Sequence, residues 1–353
     1  MLINNFQNLP IPTSEYEKKV IDFCERWIGG QQNFILKTSG STGEPKPIKL
    51  TRNQMIASAK LTGKTFGLNE GDSALVCLNI DYIAGIMMLV RGVELGLNLT
   101  VIEPSGNPLD NLENCKFDFF AFVPLQLQNL LIEKKNIEIL NNAKAIIVGG
   151  ASVNEVLKNK IQNLNVPVYS TYGMTETVSH IAIKRLNGKN KSDNFQILEG
   201  VRIGIDERNC LNIIAEASNN ELVQTNDIVE IINEKEFNLI GRFDNIINSG
   251  GVKIQLEKVE KLIENEIKIL NPKRYFAYGV LDEKLGQKLV LFLEGKEPNI
   301  DVKNAFVDNL ITVLSKYEVP REIYFVQKFI ETATGKIDKK SVIAHELHGL
   351  DTD

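Results

Sequence analysis

The chain is poor in the residues that build metal and disulfide frameworks: four cysteines and three histidines among 353 residues. Cys24, Cys77, Cys115 and Cys210 lie far apart with no C-x-x-C pair, so no zinc knuckle or disulfide framework is indicated. His345 and His348 share a helix face by spacing, but at this end of the chain they read as a solvated pair, and with His180 they make no metal site. No Lys/Arg run is present and the net charge is -5, which argues against a nucleic-acid partner. No stretch approaches eighteen uninterrupted apolar residues; the longest, Tyr82 to Val90, stops at Arg91. Met1-Leu2-Ile3-Asn4-Asn5 lacks the charged and apolar regions of a secretion signal, so no membrane insertion and a cytoplasmic location are expected. Repeats and low-complexity tracts are missing too. What remains is an ordinary globular composition, 43% hydrophobic and 24% charged, at a length that suggests about two domains.

Ser14-Glu15-Tyr16-Glu17 reads as a capping box before a helix bearing Val20, Phe23, Cys24 and Trp27, which Gly29-Gly30 ends. Phe34-Ile35-Leu36 reads as a buried strand, and Thr51 with Gln54 starts a helix running to about Gly67. Strand 74–78, helix 84–95, strands 99–102 and 117–123, helix 124–141, strand 144–148 and strand Val166 to Tyr169 continue the alternation. This predicts an α/β fold with a mostly parallel, doubly wound sheet. Residues 195–242 change to short apolar runs broken by Gly200, Gly204, Asn219-Asn220 and Asn226, a small β-rich subdomain. Helix 256–270, strands 275–281 and 288–294, helix 301–315, strand 322–326 and a helix from about Asp338 then predict a smaller α+β unit. The expected division is an N-terminal domain of residues 1–243 and a C-terminal domain of residues 244–353.

In parallel sheets ligands sit beyond the carboxyl ends of the strands. The segments there are 38–46, Asn79 to Tyr82, Gly149-Gly150-Ala151 and Ser170 to Glu176. In the first, Thr38-Ser39-Gly40-Ser41-Thr42-Gly43-Glu44-Pro45-Lys46, glycines let N–H groups converge, hydroxyls add donors and Lys46 adds a cation, the inventory of a phosphate cradle. A plain surface loop has the same composition, and the spacing is not that of a mononucleotide P-loop. Gly149-Gly150 could turn the chain or let a flat ring or an acyl group approach the backbone. Thr225-Asn226-Asp227 taken alone reads as a turn, and Ile246 to Ile254 as a hairpin turning at Ser249-Gly250-Gly251.

Five of these stretches together resemble the signature motifs of the adenylate-forming superfamily, the acyl-CoA synthetases, peptide-synthetase adenylation domains and luciferases. They are Thr38 to Lys46, Tyr172-Gly173-Met174-Thr175-Glu176, Gln224 to Asp227, Gly241 through Glu260, and Thr332-Ala333-Thr334-Gly335-Lys336. The resemblance implies that the first loop clamps the outgoing phosphates of ATP, with Gly149 and Gly150 walling the nucleotide site. Tyr172 would line the adenine slot, Thr175 bond the α-phosphate and Glu176 hold Mg²⁺. Asp227 and Arg242 would take the ribose, and Asp244 would be the pivot of a mobile C-terminal domain. Gly250, Gly251 and Lys253 would line the tunnel for the thiol of coenzyme A, while Lys336 would enter the site during adenylation. Asn226 stands where the family has glycine, and asparagine tolerates a left-handed backbone. Ile330 replaces a proline before the lysine motif.

The substrate class so implied is a small-molecule carboxylic acid. Leu78 to Gly85, Phe122 to Leu127 and Tyr172 to Ala182 most resemble the o-succinylbenzoate–CoA ligases of menaquinone biosynthesis. Tyr82 would keep an aromatic wall, and Thr177, Ser179 and His180 would be the nearest donors to a dicarboxylate with an aromatic ring and a ketone, with a buried, satisfied strand histidine the equal alternative for His180. An amino-acid adenylation enzyme, with Asp81 receiving the amine, and a non-catalytic nucleotide-binding protein remain alternatives. Relatives usually carry over a hundred residues ahead of the first loop, so most of their first subdomain is missing here, and a homodimer is left open.

Overall fold

The computed structural model describes residues 1–37, 47–112, 115–332 and 337–348. The hydroxyl-rich loop Thr38 to Lys46, and Ala333 to Lys336, lie outside the described residues. The chain forms two compact units. The first takes Met1–Gly204, Asn212–Gln224 and Ile231–Asn238; the second takes Ile205–Leu211, Thr225–Glu230 and Leu239–Asp353.

The first unit begins with β1 (Leu2–Ile3), α1 (Glu15–Ile28) and the antiparallel pair β2 (Asn33–Lys37) and β3 (Pro47–Thr51). α2 (Arg52–Phe66), β4 (Ser73–Val76), α3 (Ile83–Leu95), β5 (Asn98–Val101), β6 (Phe119–Phe122), α4 (Pro124–Leu130) and α5 (Lys134–Leu140) follow. β7 (Ala145–Val148), α6 (Glu155–Ile161), β8 (Val168–Gly173), β9 (His180–Arg185) and β10 (Phe195–Ile197) complete the alternation. The reciprocal cap of α2 is formed by Thr51 and Gln54 as expected, and Gly67 ends that helix with φ +63°. At α1 only half the box forms, because the Glu17 carboxylate turns to the N–H and hydroxyl of Thr13.

Strands β5, β4, β6, β7 and β8 run parallel in that order, with β1 antiparallel at one edge, and beyond β8 the sheet continues through the antiparallel pairings of β9 and β10. Side chains alternate between two cores. Ala74, Val76, Phe119, Ala121, Ala145 and Ile147 pack with α1, α2 and α3. Leu75, Cys77, Phe120, Phe122, Ile146 and Val148 pack with α4, α5 and α6. Both faces are buried, which is why these strands read as unbroken apolar runs.

β11 (Arg202–Ile205), β12 (Cys210–Ile214), β13 (Leu222–Asn233) and β14 (Glu236–Arg242) form the β-rich region and divide their residues between the units. The second unit continues with the hairpin β15 (Ile246–Ser249) and β16 (Val252–Gln255), then α7 (Leu256–Leu262), β17 (Tyr275–Asp282), β18 (Gly286–Glu294), α8 (Ile300–Val313), β19 (Glu322–Val326) and α9 (Lys339–His348). β18 lies between antiparallel β17 and parallel β19. One core face of this sheet joins α7 and α8, and the other carries Phe276, Phe292, Phe329 and Val342.

Four local expectations change. Helix 124–141 is two helices: its buried face holds Leu127 and Leu130, and the same helix continued would bring Lys134 and Lys135 onto that face. Helix 256–270 becomes α7 followed by a 3₁₀ stretch, Glu266–Leu270, that keeps Ile267 and Leu270 buried. Tyr172 and Gly173 are the end of β8, not a loop beyond it. Thr225-Asn226-Asp227 is strand, not turn, and Asn226 is not among the residues of positive φ, so left-handed tolerance is not what it provides.

Candidate active site

β8 and β9 approach so closely after Tyr172 that a Cβ on Gly173 would lie 2.2 Å from the Ser179 carbonyl oxygen. The pairing slips at this point, and the chain between the strands forms the turn Thr175–Thr177. Glu176 is exposed on that turn, whereas Thr175 and Thr177 are buried. The Thr177 hydroxyl accepts from Met174 N and faces the carbonyls of Met174 and Ser179, which fixes the turn from inside. Val178 follows with φ 64° and ψ -56°, and Ser179 N–H reaches back to the Thr177 carbonyl at 2.7 Å. This is the rare positive-φ γ-turn, strained for a β-branched residue, and strain of this kind gathers at functional sites.

The turn delivers Ser179 and His180 to a buried polar cluster. Arg91, on α3 and 2% exposed, donates through Nη2 to Ser179 Oγ at 2.7 Å and through Nε to Thr62 Oγ1 at 3.2 Å. No carboxylate among the described residues pairs with it, and burial draws its pKa down to about 10. Thr62 gives its own hydrogen to Ser58 O, so its oxygen faces His180 Nε2 as an acceptor, at 3.5 Å, leaving Nδ1 to accept from Ser179 Oγ at 3.2 Å. Burial, and then the Arg91 charge, push the His180 pKa down to about 3, so the ring is neutral. The histidine is thus a satisfied strand residue packed on Phe66.

Tyr172 is buried against Phe195 and Phe237. Gly150 turns the chain after β7 with φ +84°, and a Cβ on Gly149 would lie 2.5 Å from Thr171 Oγ1. Tyr82 precedes α3, where Gly85 admits the Asn79 carbonyl, 2.4 Å from where a Cβ would stand. The loop before it is held by α1: Tyr16 OH donates to Leu78 O at 2.9 Å, and Lys19 pairs with Asp81 at 3.3 Å on the surface.

In the second unit, Asp227 is 8% exposed on β13, its N–H tied to Thr225 Oγ1, whose hydroxyl donates to Leu211 O. Arg242 reaches Asp227 Oδ1 at 3.2 Å and Asp244 Oδ2 at 2.7 Å. Glu257 gathers the Arg242 N–H and the side-chain amides of Asn245 and Gln255, so it closes the segment on either side of Asp244. Gly250 and Gly251, at φ +60° and +85°, form the two-residue turn of the expected hairpin, and Lys253 is exposed on β16. The residues flanking 333–336 are pinned: Glu331 bridges Ile337, Asp338 N bonds Ile330 O at 2.9 Å, and Arg274 joins Glu331 to buried Glu294.

Arg91, Thr62 and the Val178 turn escaped the sequence reading. Arg91 left one signal there, a charge closing an apolar run in the helix segment Gly85 to Gly92, every residue of which is buried.

A doubly wound, mostly parallel sheet with the hydroxyl- and carboxylate-bearing turn Thr175–Thr177 beyond one of its strands defines an α/β fold of the class that carries ligand sites at its strand ends. Residues 30–205 match the family model described as AMP-binding enzyme. The acyl-CoA synthetase (AMP-forming)/AMP-acid ligase II-like protein of Dyadobacter fermentans is 45% identical, with 97% of this chain and 98% of that one covered, at a TM-score of 0.67. The 2-succinylbenzoate–CoA ligase of Lactococcus lactis is 25% identical over 87% of this chain and 70% of its own length. The O-succinylbenzoate coenzyme A synthetase of Bacillus subtilis, in complex with ATP and magnesium ion, shares the fold at 21% identity and a TM-score of 0.71, over 87% of this chain and 68% of that one. The chain belongs to the AMP-binding enzyme family, the adenylate-forming enzymes, and is an AMP-forming ligase.

Proposed function

We propose that the protein joins o-succinylbenzoate, or a close aromatic dicarboxylic acid, to coenzyme A through an acyl-AMP intermediate. The observation that carries this reading is Arg91: a buried guanidinium held by two hydroxyls and by no acid among the described residues. Such a charge is costly unless an anion completes it, and a substrate with a second carboxylate is such an anion. The names of the curated relatives and the three stretches around Tyr82, Phe122 and Tyr172 point the same way. Asp81, the residue an amino-acid substrate would need, is engaged by Lys19 at the surface, which weighs against that alternative.

In the first half-reaction a carboxylate oxygen of the acid attacks the α-phosphorus of ATP, the bond to the bridging oxygen breaks, and pyrophosphate leaves. That displacement needs positioning and charge more than acid–base chemistry. Asp227 accepts from the ribose hydroxyls with Arg242 beside it, Tyr172 lines the adenine slot, and Thr175 bonds the α-phosphate. Among the described residues no group of three or more His, Cys, Asp or Glu side chains is placed to hold a metal. The single exposed carboxylate of Glu176 nevertheless suits Mg²⁺, which needs only one or two protein carboxylates beside phosphate oxygens and water. Bound there, it would neutralise phosphate charge. Lys336 bridges the carboxylate and the α-phosphate, and the loop Thr38 to Lys46 clamps the outer phosphates. Charges preorganised in this way contribute roughly 3–4 kcal/mol each. The domain carrying Lys336, residues 244–353, then turns about Asp244 and brings Gly250, Gly251 and Lys253 to the thiol.

The test is ATP/pyrophosphate exchange over a panel of carboxylic acids, with thioester formation measured on adding coenzyme A. We expect o-succinylbenzoate to give exchange, and Arg91→Gln to lower kcat/KM for it by about 100-fold while an analogue lacking the distal carboxylate is affected less than tenfold. Exchange with another acid but not with o-succinylbenzoate would remove the substrate assignment and leave the ligase.

A further inference from the structure

Asn226 differs from a glycine here in its side chain, since its backbone is ordinary strand. Its amide nitrogen donates to both oxygens of Asp244, at 3.2 and 3.3 Å. Its amide oxygen accepts from Arg208 Nη1 at 3.1 Å. Arg208 is itself fixed: Nε and Nη2 both bond Asp206 Oδ2, at 2.8 and 2.7 Å, and the guanidinium lies over the Phe243 ring, 5.0 Å from its centroid. On the far side, Asp244 takes Arg242, whose other nitrogen holds Asp227. Donors and acceptors therefore alternate from Asp206 to Asp227 through Arg208, Asn226, Asp244 and Arg242.

The chemistry fixes how Asn226 sits. A guanidinium only donates and a carboxylate only accepts, so the amide oxygen must face Arg208 and the amide nitrogen Asp244. Turned over, it would set oxygen against carboxylate. Glycine leaves the gap open, and aspartate keeps Arg208 but repels Asp244.

We infer that Asn226, backed by Arg208, is a positioning residue that latches the Asp244 carboxylate and resists rotation of the chain there. The inference rests on Asp244 being the pivot between the two half-reactions. A rotation at Asp244 must break both Asn226 bonds and re-aim Arg242, and hinge residues of this kind set the rate of conformational steps. Removing the latch lets the pivot turn sooner.

Two measurements on the full chain test this. Hydrogen exchange of the amides of residues 243–249 should rise about threefold or more in Asn226→Gly and in Asn226→Asp, with the amides of β4, β6 and β7 unchanged. In single turnovers with the acid selected by the panel above, the lag between acyl-AMP and thioester should shorten about threefold or more in both variants, with KM for ATP changed less than twofold. Arg208→Gln should give a smaller change of the same sign. No local rise in exchange, or a rise spread through the chain as from general destabilisation, overturns the latch; so does an unchanged or longer lag. If the wild-type chain makes no acyl-AMP from any acid, the ligase assignment falls, and the local hydrogen exchange alone decides for or against the latch.

Discussion

At the scale of single residues, the β8–β9 turn works because a few positions accept what most side chains would not. Gly173 lets two backbones touch, and an added Cβ would meet a carbonyl oxygen and a Cα instead of the yielding end of a side chain. Gly173→Ala should therefore cost about 2–3 kcal/mol, read as a lower denaturation midpoint, together with loss of nucleotide-dependent activity as the Thr175–Thr177 turn shifts. His180 gives a pH prediction. Its folded pKa, about 3, lies below the ordinary value of 6.5, so below pH 6.5 the unfolded chain binds a proton that the folded chain refuses. Its contribution is fully present above that pH and lost progressively toward pH 3. The melting temperature of the wild-type chain should fall between pH 7 and 5 more steeply than that of His180→Gln, and equal slopes would refute the assignment. The need for Gly173 in the turn was legible from the motif, whereas the inward Thr177 hydroxyl, which the sequence suggested as a donor to the substrate, was not. The cluster of Arg91, Thr62, Ser179 and His180 was not, because its members are up to 118 residues apart and only packing joins them.

At the scale of elements, runs such as Ala74 to Val76 and Ala145 to Val148 were readable as buried strands because parallel strands covered on both faces need no polar side. The break at Leu131 lay in the sequence too, as Lys134 and Lys135 falling on the apolar face, but only a helix with a fixed buried side turns that pattern into a stop. The Gly250-Gly251 hairpin was read correctly: two positive φ values between strands call for glycine. Gly250→Ala forces a side chain into left-handed backbone and to 3.1 Å from the Tyr317 ring. If this turn faces the thiol, the substitution should reduce conversion of supplied acyl-AMP to thioester by about tenfold or more while pyrophosphate exchange stays within twofold. Equal losses in both assays would make the hairpin merely structural.

For the whole molecule, the decisive prediction concerns the two half-reactions. Lys336→Ala should abolish acyl-AMP formation, by about 100-fold or more, yet still convert supplied acyl-AMP to thioester. Equal loss of both steps would sink rotation of the C-terminal domain. The family and the order of its motifs were determined by sequence alone, because phosphate, ribose and thiol binding depend on short local patterns of glycine, hydroxyl and charge that survive without long-range context. Tertiary structure alone decided which polar groups meet. Arg91 became a buried cation with no carboxylate partner among the described residues only when α3 was set beside Thr62 of α2 and Ser179, and Asn226 became a latch only when its strand was set beside Arg208 and Asp244. Local patterns are written along the chain, whereas the partner of a buried charge depends on which distant segment occupies the space beside it.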